Sequence, residues 1–431
     1  MSRIVKQRKE RVAIIGLGYV GLPLAILAAE KGYRVVGIDH NRRRVQQLVK
    51  GVNTLPEEKR ITDAVAKKVF TPTTVVKQLR QADIIIICVP TPVDHLYKPD
   101  LRPVISAAQT IARYLRHGQL IILESTVNPG VCEEVVLPIL EKTGKKVGRD
   151  FELAHCPERI NPGDPVWHVG NIPRCVGATS IKGAKRAAAF YRHLVSGQVR
   201  VMKSLKEAEA TKIIENSFRD INIAFVNELA RSFDALGIDL FDVIQGASSK
   251  PFAFMAHWPS LGVGGHCIPV DPYYLIERAS QAGFDHKFLR LAREINNGMP
   301  QYAVVQLQML LNRLRLSIAG ARITVLGLSY KANVGDIRES PSLKVIKLLR
   351  QLDASVDVYD PFFPKQSTVK NLDQALKKAD AVIVAVNHRE FLVLNGPMLK
   401  RYHVKAVIDG KNCLDKHSIV KSGVAYKGIG R

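Results

Sequence analysis

No stretch of this chain stays apolar long enough to cross a bilayer. The longest run, Ile84 to Val89, is strand-sized, whereas a membrane helix needs about twenty such residues. The basic N-terminus, MSRIVKQRKER, lacks the apolar stretch of a secretory signal. The cytoplasm is the expected compartment, without membrane insertion. No CxxC pair occurs either. The six cysteines, at 88, 132, 156, 175, 267 and 413, are scattered, so no zinc or dithiol pattern emerges and no metal is expected. In a large chain without a signal they should be free thiols. Aromatics are scarce at 6%, and no zinc-finger or RNP spacing accompanies the basic residues. The formal net charge of +24 is therefore not read as nucleic-acid binding. Its short clusters, Lys6–Arg11 and Arg42–Arg44, fit a basic surface that attracts anionic metabolites.

What is present is a long α/β pattern. At 431 residues the chain exceeds one hydrophobic core, and two or three domains are expected. Val12–Ile15, Arg34–Ile38, Asp83–Val89 and Leu120–Leu123 read as strands alternating with helices, the mark of βαβ units. From Lys203 to Leu236 there is no Pro and no Gly, and apolar residues recur at helical spacing. This predicts one long helix, or two abutting ones, stopped at Gly237. A Gly-rich stretch, Leu261–His266, follows, and helix returns around Pro272–Ala282 and Lys287–Asn296. RITVLGLSY, SVDVYDP, ADAVIVAV and VKAVIDG then begin a second α/β series at Arg322.

Three motifs carry chemistry. Gly16, Gly18 and Gly21 form GxGxxG between a strand and an apolar helix. Glycines permit a tight turn and close backbone approach, so a pyrophosphate can sit on the helix N-terminus. Asp39 ends the next strand, 18 residues after Gly21, where a carboxylate can accept from ribose hydroxyls and repel a 2′-phosphate. Arg42–Arg44 beside it soften that preference. The second motif is GGHCIPVD, Gly264 to Asp271. A thiol among glycines is accessible and can attack a carbonyl carbon as a thiolate; the competing reading is a buried structural Cys. His266 beside it could act as a base or simply pack. Third, Lys212 and Asn216 stand four apart on one helix face. Together they could stabilise an oxyanion or order a water; alone, they would more simply be a solvated face.

At this point the sequence resembles the UDP-glucose/GDP-mannose dehydrogenases. The matching segments, in the family's order, are GLGYVGLP (16–23), CVPTP (88–92), ESTVNPG (124–130), PER (157–159), KIIEN (212–216), GVGGHCIPVDP (262–272) and LGLSYKANVGDIRESPS (326–342). The resemblance implies two Rossmann-like doubly wound domains joined by a long central helix and a helical middle domain, with boundaries near 1–200, 201–316 and 317–431. It implies NAD on the first domain, a UDP-sugar on the last, and a homodimer formed through the middle. Motif by motif, Cys267 matches the nucleophile, Lys212 and Asn216 the oxyanion pair, and Asp271 the partner that orders water and Lys212. Glu158 matches the glutamate of thioester hydrolysis and Thr126 the threonine that positions water. Thr91, Thr126 and Arg338 match cofactor contacts, joined by Tyr19, Val20 and Arg44 beside the glycines and Asp39. Glu158, Arg159, Lys212, Asn216, Gly264, Gly265 and Lys331 match substrate contacts.

The implied reaction fits this set of parts. Alcohol to acid is a four-electron change, needing two NAD and a thiol to hold the aldehyde. His155–Asp164 (HCPERINPGD) resembles the branch that acts on UDP-N-acetylhexosamines, with UDP-N-acetylglucosamine the implied sugar. UDP-glucose and UDP-N-acetylmannosamine are the alternatives. A two-electron β-hydroxyacid dehydrogenase would need no such Cys and no second α/β series. Two departures stand out: Pro259-Ser-Leu-Gly262 replaces the family's PGPG, and its upstream basic residue has no clear match, Lys250 being nearest.

Overall fold

A computed structural model describes residues 10–52, 64–65, 68–94, 97–160, 164 and 166–431. Lys6–Lys9 of the first basic cluster and Asn161–Gly163 of the PERINPGD segment lie outside those residues. The chain packs as two compact units. One comprises Met1–Glu215 with Tyr273–Phe284, the other Asn216–Pro272 with Asp285–Arg431. Residues 201–316, expected as a helical middle domain, are divided between the two.

The first unit is built on eight strands: β1 (Arg11–Ile15), β2 (Arg34–Ile38), β3 (Phe70–Thr73), β4 (Ile84–Ile87), β5 (Gln119–Leu123), β6 (Phe151–His155), β7 (Arg174–Ala178) and β8 (Val199–Val201). Their order is β3-β2-β1-β4-β5-β6-β7-β8. The first six follow the doubly wound dinucleotide order, whose ligands bind beyond the carboxyl ends of the strands. Every pairing is parallel except β6 with β7. β4 and β5 are buried along their whole length, as a parallel sheet covered on both faces requires.

The second unit holds β9 (Arg322–Leu326), β10 (Ser355–Tyr359), β11 (Ala381–Val384), β12 (Ala406–Asp409) and β13 (Ala425–Gly428). All are parallel, in the order β10-β9-β11-β12-β13. This is the five-stranded 2-1-3-4-5 arrangement of doubly wound sheets.

One helix, Leu205–Leu236, runs without interruption and ends at Gly237, which takes the left-handed φ of +70°. Helix Asp271–Gln281 follows the cysteine loop. Helix Lys287–Arg313 runs well past the expected Asn296, through Gly298 and Pro300. Met299, Pro300, Ala303, Val304 and Leu307 are buried there, and their packing outweighs the penalty of Gly and Pro inside the helix. None of the described helices is long and apolar enough to cross a membrane.

Candidate active site

In the first unit the glycine turn is sterically compelled. Gly16 has φ +93°, and a Cβ there would strike the Cys88 carbonyl; one on Gly21 would strike the Gly16 carbonyl. Around Gly18, by contrast, there is open space. Helix Gly21–Glu30 starts beside it with no side-chain cap and no acid in its first turn, so no carboxylate competes with a phosphate at its N-terminus. Val20 is half-buried and Tyr19 exposed at this turn. The buried Asp39 accepts from the Leu17 N–H at 2.9 Å and the Asn41 N–H at 2.9 Å. Arg44 lies 3.3 Å from the same carboxylate. Two carboxylate oxygens offer about four acceptor positions, so capacity remains for ribose hydroxyls. These residues fit NAD.

The other groups of this unit gather past the ends of β4, β5 and β6. Thr91 is buried, and its carbonyl accepts the Tyr274 hydroxyl. Thr126 is half-buried in the loop after β5. Glu158 is buried, while the half-buried Arg159 ion-pairs with Glu215. Glu209 binds the N–H groups of Gly130 (2.6 Å) and Cys132 (2.8 Å), tying the long helix to the ESTVNPG loop. Lys212, one turn further, is buried, as is Asn216, the first residue of the second unit, which removes the reading of a solvated face. The role of Glu209 as anchor had no sequence signal. Cys132, His155 and Glu209 bring ligand-type atoms within 4.8 Å of one another. Burial lowers the His155 imidazole to about 3, keeping it neutral.

In the second unit Cys267 is exposed, whereas Cys88, Cys132, Cys156 and Cys175 are buried and Cys413 is half-buried. The glycines before it are there because the loop is pressed on Tyr330. A Cβ on Gly264 would come 2.7 Å from Tyr330 Cβ, and one on Gly265 would come 2.8 Å from its ring. The Gly265 N–H donates to the Arg338 carbonyl at 2.9 Å. Arg338 in turn grips Asp336 with Nε (3.0 Å) and Nη2 (2.6 Å), which raises its pKa; the Cys267 thiol adds to that rise. A guanidinium with this coupling favours the thiolate. Burial, with Arg338 adding to it, lowers the His266 pKa, leaving a neutral ring.

Behind the loop runs a ladder of buried polar groups. Arg293 donates to Asp220 at 2.5 Å, Asn296 to Asp220 at 2.8 Å, and Asn227 to Asn296 at 2.8 Å. Asn227 then accepts the Ser260 N–H at 2.9 Å, and the Ser260 hydroxyl donates to the Gly262 carbonyl at 3.0 Å. The PSLG departure thus supplies a hydroxyl that fixes the loop carrying Cys267. At its far end the Asp271 N–H donates to the Cys267 carbonyl at 2.8 Å, and Asn216 donates to the Asp271 carboxylate at 2.5 Å. Lys250 sits 4.7 Å from the ring centre of Phe252, in a segment whose Phe252 and Met255 are largely exposed.

Lys331 is half-buried in the loop after β9. Lys411, unmarked by any motif, stands just past the carboxyl end of β12, and burial lowers its pKa. Only the sheet order makes that place notable.

Three domain profiles match in succession. The UDP-glucose/GDP-mannose dehydrogenase family's NAD binding domain covers residues 10–195, its central domain 206–298 and its UDP binding domain 324–416. A UDP-N-acetyl-D-mannosamine dehydrogenase of Pyrococcus horikoshii is 36% identical over 98% of this chain and 99% of its own. A UDP-N-acetyl-D-glucosamine 6-dehydrogenase of Pseudomonas aeruginosa is 37% identical over 88% of this chain and 91% of its own. The solved P. horikoshii UDP-D-ManNAc dehydrogenase superposes with a TM-score of 0.91, covering 98% of this chain and 99% of that one. With a dinucleotide turn that fits NAD, an exposed cysteine on a braced loop and profiles spanning both units, the chain belongs to the UDP-glucose/GDP-mannose dehydrogenase family.

Proposed function

We propose that this protein oxidises the C6 hydroxymethyl of a UDP-N-acetylhexosamine to the carboxylate, through a thioester on Cys267. The observation that carries the reading is the one exposed thiol among the described residues, on a loop whose glycines are sterically required. NAD, when bound, supplies the hydride acceptor for each of two oxidations. After the first, the Cys267 thiolate adds to the aldehyde carbon, and the oxygen of the resulting thiohemiacetal takes the developing charge. Lys212 and Asn216 stabilise that oxyanion; Asn216 keeps one amide N–H beyond the one given to Asp271. The second oxidation leaves a thioester. Water, positioned by Thr126 with Glu158 as base, attacks its carbonyl carbon; the C–S bond breaks and the Cys267 thiolate returns. Lys331 holds the UDP-sugar in the second unit.

UDP-N-acetylglucosamine is the proposed sugar, on the HCPERINPGD segment. Its manno epimer is the second reading, favoured by the near full-length likeness to the P. horikoshii enzyme. The test is a panel of UDP-sugars with NAD, following absorbance of the reduced cofactor. UDP-N-acetylglucosamine should give the highest kcat/KM, and two NAD should be reduced per sugar without free aldehyde accumulating. A ratio of one would end the thioester route; a faster UDP-glucose would change the sugar and leave the chemistry standing.

Cofactor preference follows from Asp39. A 2′-phosphate would meet a buried carboxylate already fixed by two N–H groups, so kcat/KM should be higher for NAD than for NADP. Equal values would instead make Arg44 a phosphate ligand.

A further inference from the structure

Arg174 opens β7 and is 1% exposed, yet none of its three guanidinium nitrogens has a hydrogen-bond partner among the described residues. A buried cation needs opposing negative charge to stay in the core. The sheet points to where that charge lies. β6 and β7 are antiparallel, with Ala154 opposite Ala178 and His155 opposite Gly177. Beyond that last pair, the chain leaving β6 and the start of β7 lie toward the same end of the two strands, one carrying Glu158 and the other Arg174. Arg159 ties the two segments together: its side chain donates to the Pro173 carbonyl at 3.1 Å and to the Cys175 sulfur at 3.3 Å.

Helix Ile181–Leu194 packs against β6 and β7. Its Tyr191 lies under the Arg174 guanidinium, 5.7 Å from carbon to ring centre, and its hydroxyl donates to Glu124 at 2.5 Å. The Glu158 N–H donates to the Glu124 carbonyl at 3.3 Å. One cation thus faces two buried carboxyls, walled by Tyr191, Cys88 and Cys156. The electrostatics agree. Burial opposes the Arg174 charge, but Glu124 leads a set of acidic groups, Glu158 among them, that holds its pKa up. Burial pushes Glu124 up, with Arg174 opposing.

We propose that Arg174 is a positioning residue for thioester hydrolysis, its buried guanidinium holding Glu158 as the carboxylate that takes a proton from the attacking water. This rests on the role given to Glu158 under the proposed function. Without the cation, Glu158 should keep its own proton and the acyl group should remain on Cys267.

Two variants test it: Arg174→Met, and Arg174→Met with Glu124→Gln, which removes one buried charge of each sign and guards against a folding defect. With saturating sugar and NAD, the folded variant should show a burst of two reduced NAD per site at near wild-type rate. Steady turnover should then be at least about tenfold slower, in line with loss of a general base. Mass spectrometry of quenched protein should find the sugar acyl group on the Cys267 peptide. Hydroxylamine, which attacks a thioester without a base, should restore turnover and release a hydroxamate. Wild-type hydrolysis in the folded variant overturns the inference, as does an equal loss of both oxidations that hydroxylamine does not relieve. Glu158→Gln, run in parallel, separates the two ideas. Normal turnover there removes the underlying reading; a blocked Glu158→Gln beside a normal Arg174→Met removes only this one.

Discussion

Changing Cys267 to Ser should lower turnover by several orders of magnitude while NAD and UDP-sugar still bind. The hydroxyl has a far higher pKa than the thiol, so little of the nucleophilic anion exists at neutral pH. The aldehyde would be trapped slowly, and any oxyester formed would be a poorer acyl donor to water than the thioester. Binding should survive because the glycine turn at Gly16–Gly21, with Asp39, lies in the first unit and β9–β13 form a sheet of their own. The fold should survive too, since the side chain is exposed and Ser is nearly isosteric with Cys. Isothermal titration with NAD and UDP-sugar, beside steady-state rates, reads both halves of this expectation. A Cys267→Ala enzyme with near wild-type four-electron turnover would make the residue a packing group and sink the covalent mechanism.

Lys212→Ala is the second large effect, a drop in kcat of about a hundred- to a thousandfold, or ~3–4 kcal/mol of oxyanion stabilisation. Lys212 is buried on a helix whose Glu209 and Glu215 are tied to the ESTVNPG loop and to Arg159. That bracing holds the ammonium in one place before any charge develops, which is the condition for electrostatic catalysis. KM should move by a few-fold at most. A large rise in KM with kcat intact would recast Lys212 as a ground-state binding residue.

The parts of the fold that read correctly from sequence have strong local signals. β1, β2, β4 and β5 are apolar runs bounded by turn residues, and Gly237 marks the end of an uninterrupted helical period. The strands that escaped notice lack such signals. β3 contains Pro72, β6 buries Glu152 and His155, β7 begins with Arg174, and β8 spans only Val199–Val201. Their polar residues are buried by tertiary packing, which no window of sequence displays. The same division runs through the site. Cys267, Lys212, Asn216 and the glycines stand in motifs whose spacing has a mechanical reason. Arg174 and Lys411 have no spacing to give them away, and their places follow only from strand pairing and strand order. The Asp220–Arg293–Asn296–Asn227–Ser260 ladder draws on three separate segments, so no local pattern could announce it.

The two sheets share a device. In each, a left-handed glycine follows the first strand, Gly16 at φ +93° and Gly327 at φ +103°, and its N–H donates to the last residue of the neighbouring strand at 2.8 Å. In each, the acid just beyond that strand accepts the next N–H: Asp39 from Leu17 at 2.9 Å, Asp360 from Leu328 at 2.7 Å. The second copy has Ser329 and Ala332 where the first has Gly18 and Gly21, and Asp360 also takes Ser329 and His388. There the carboxylate is taken up by donors from the protein itself. With the role proposed for it toward NAD, Asp39 has two jobs, and anyone redesigning this enzyme to run on the phosphorylated cofactor inherits both. Exchanging Asp39 for a small neutral residue would clear room for the phosphate but let go of the Leu17 amide that shapes the pocket. Asparagine, which removes the charge and keeps an acceptor, is where such an engineering route would have to begin.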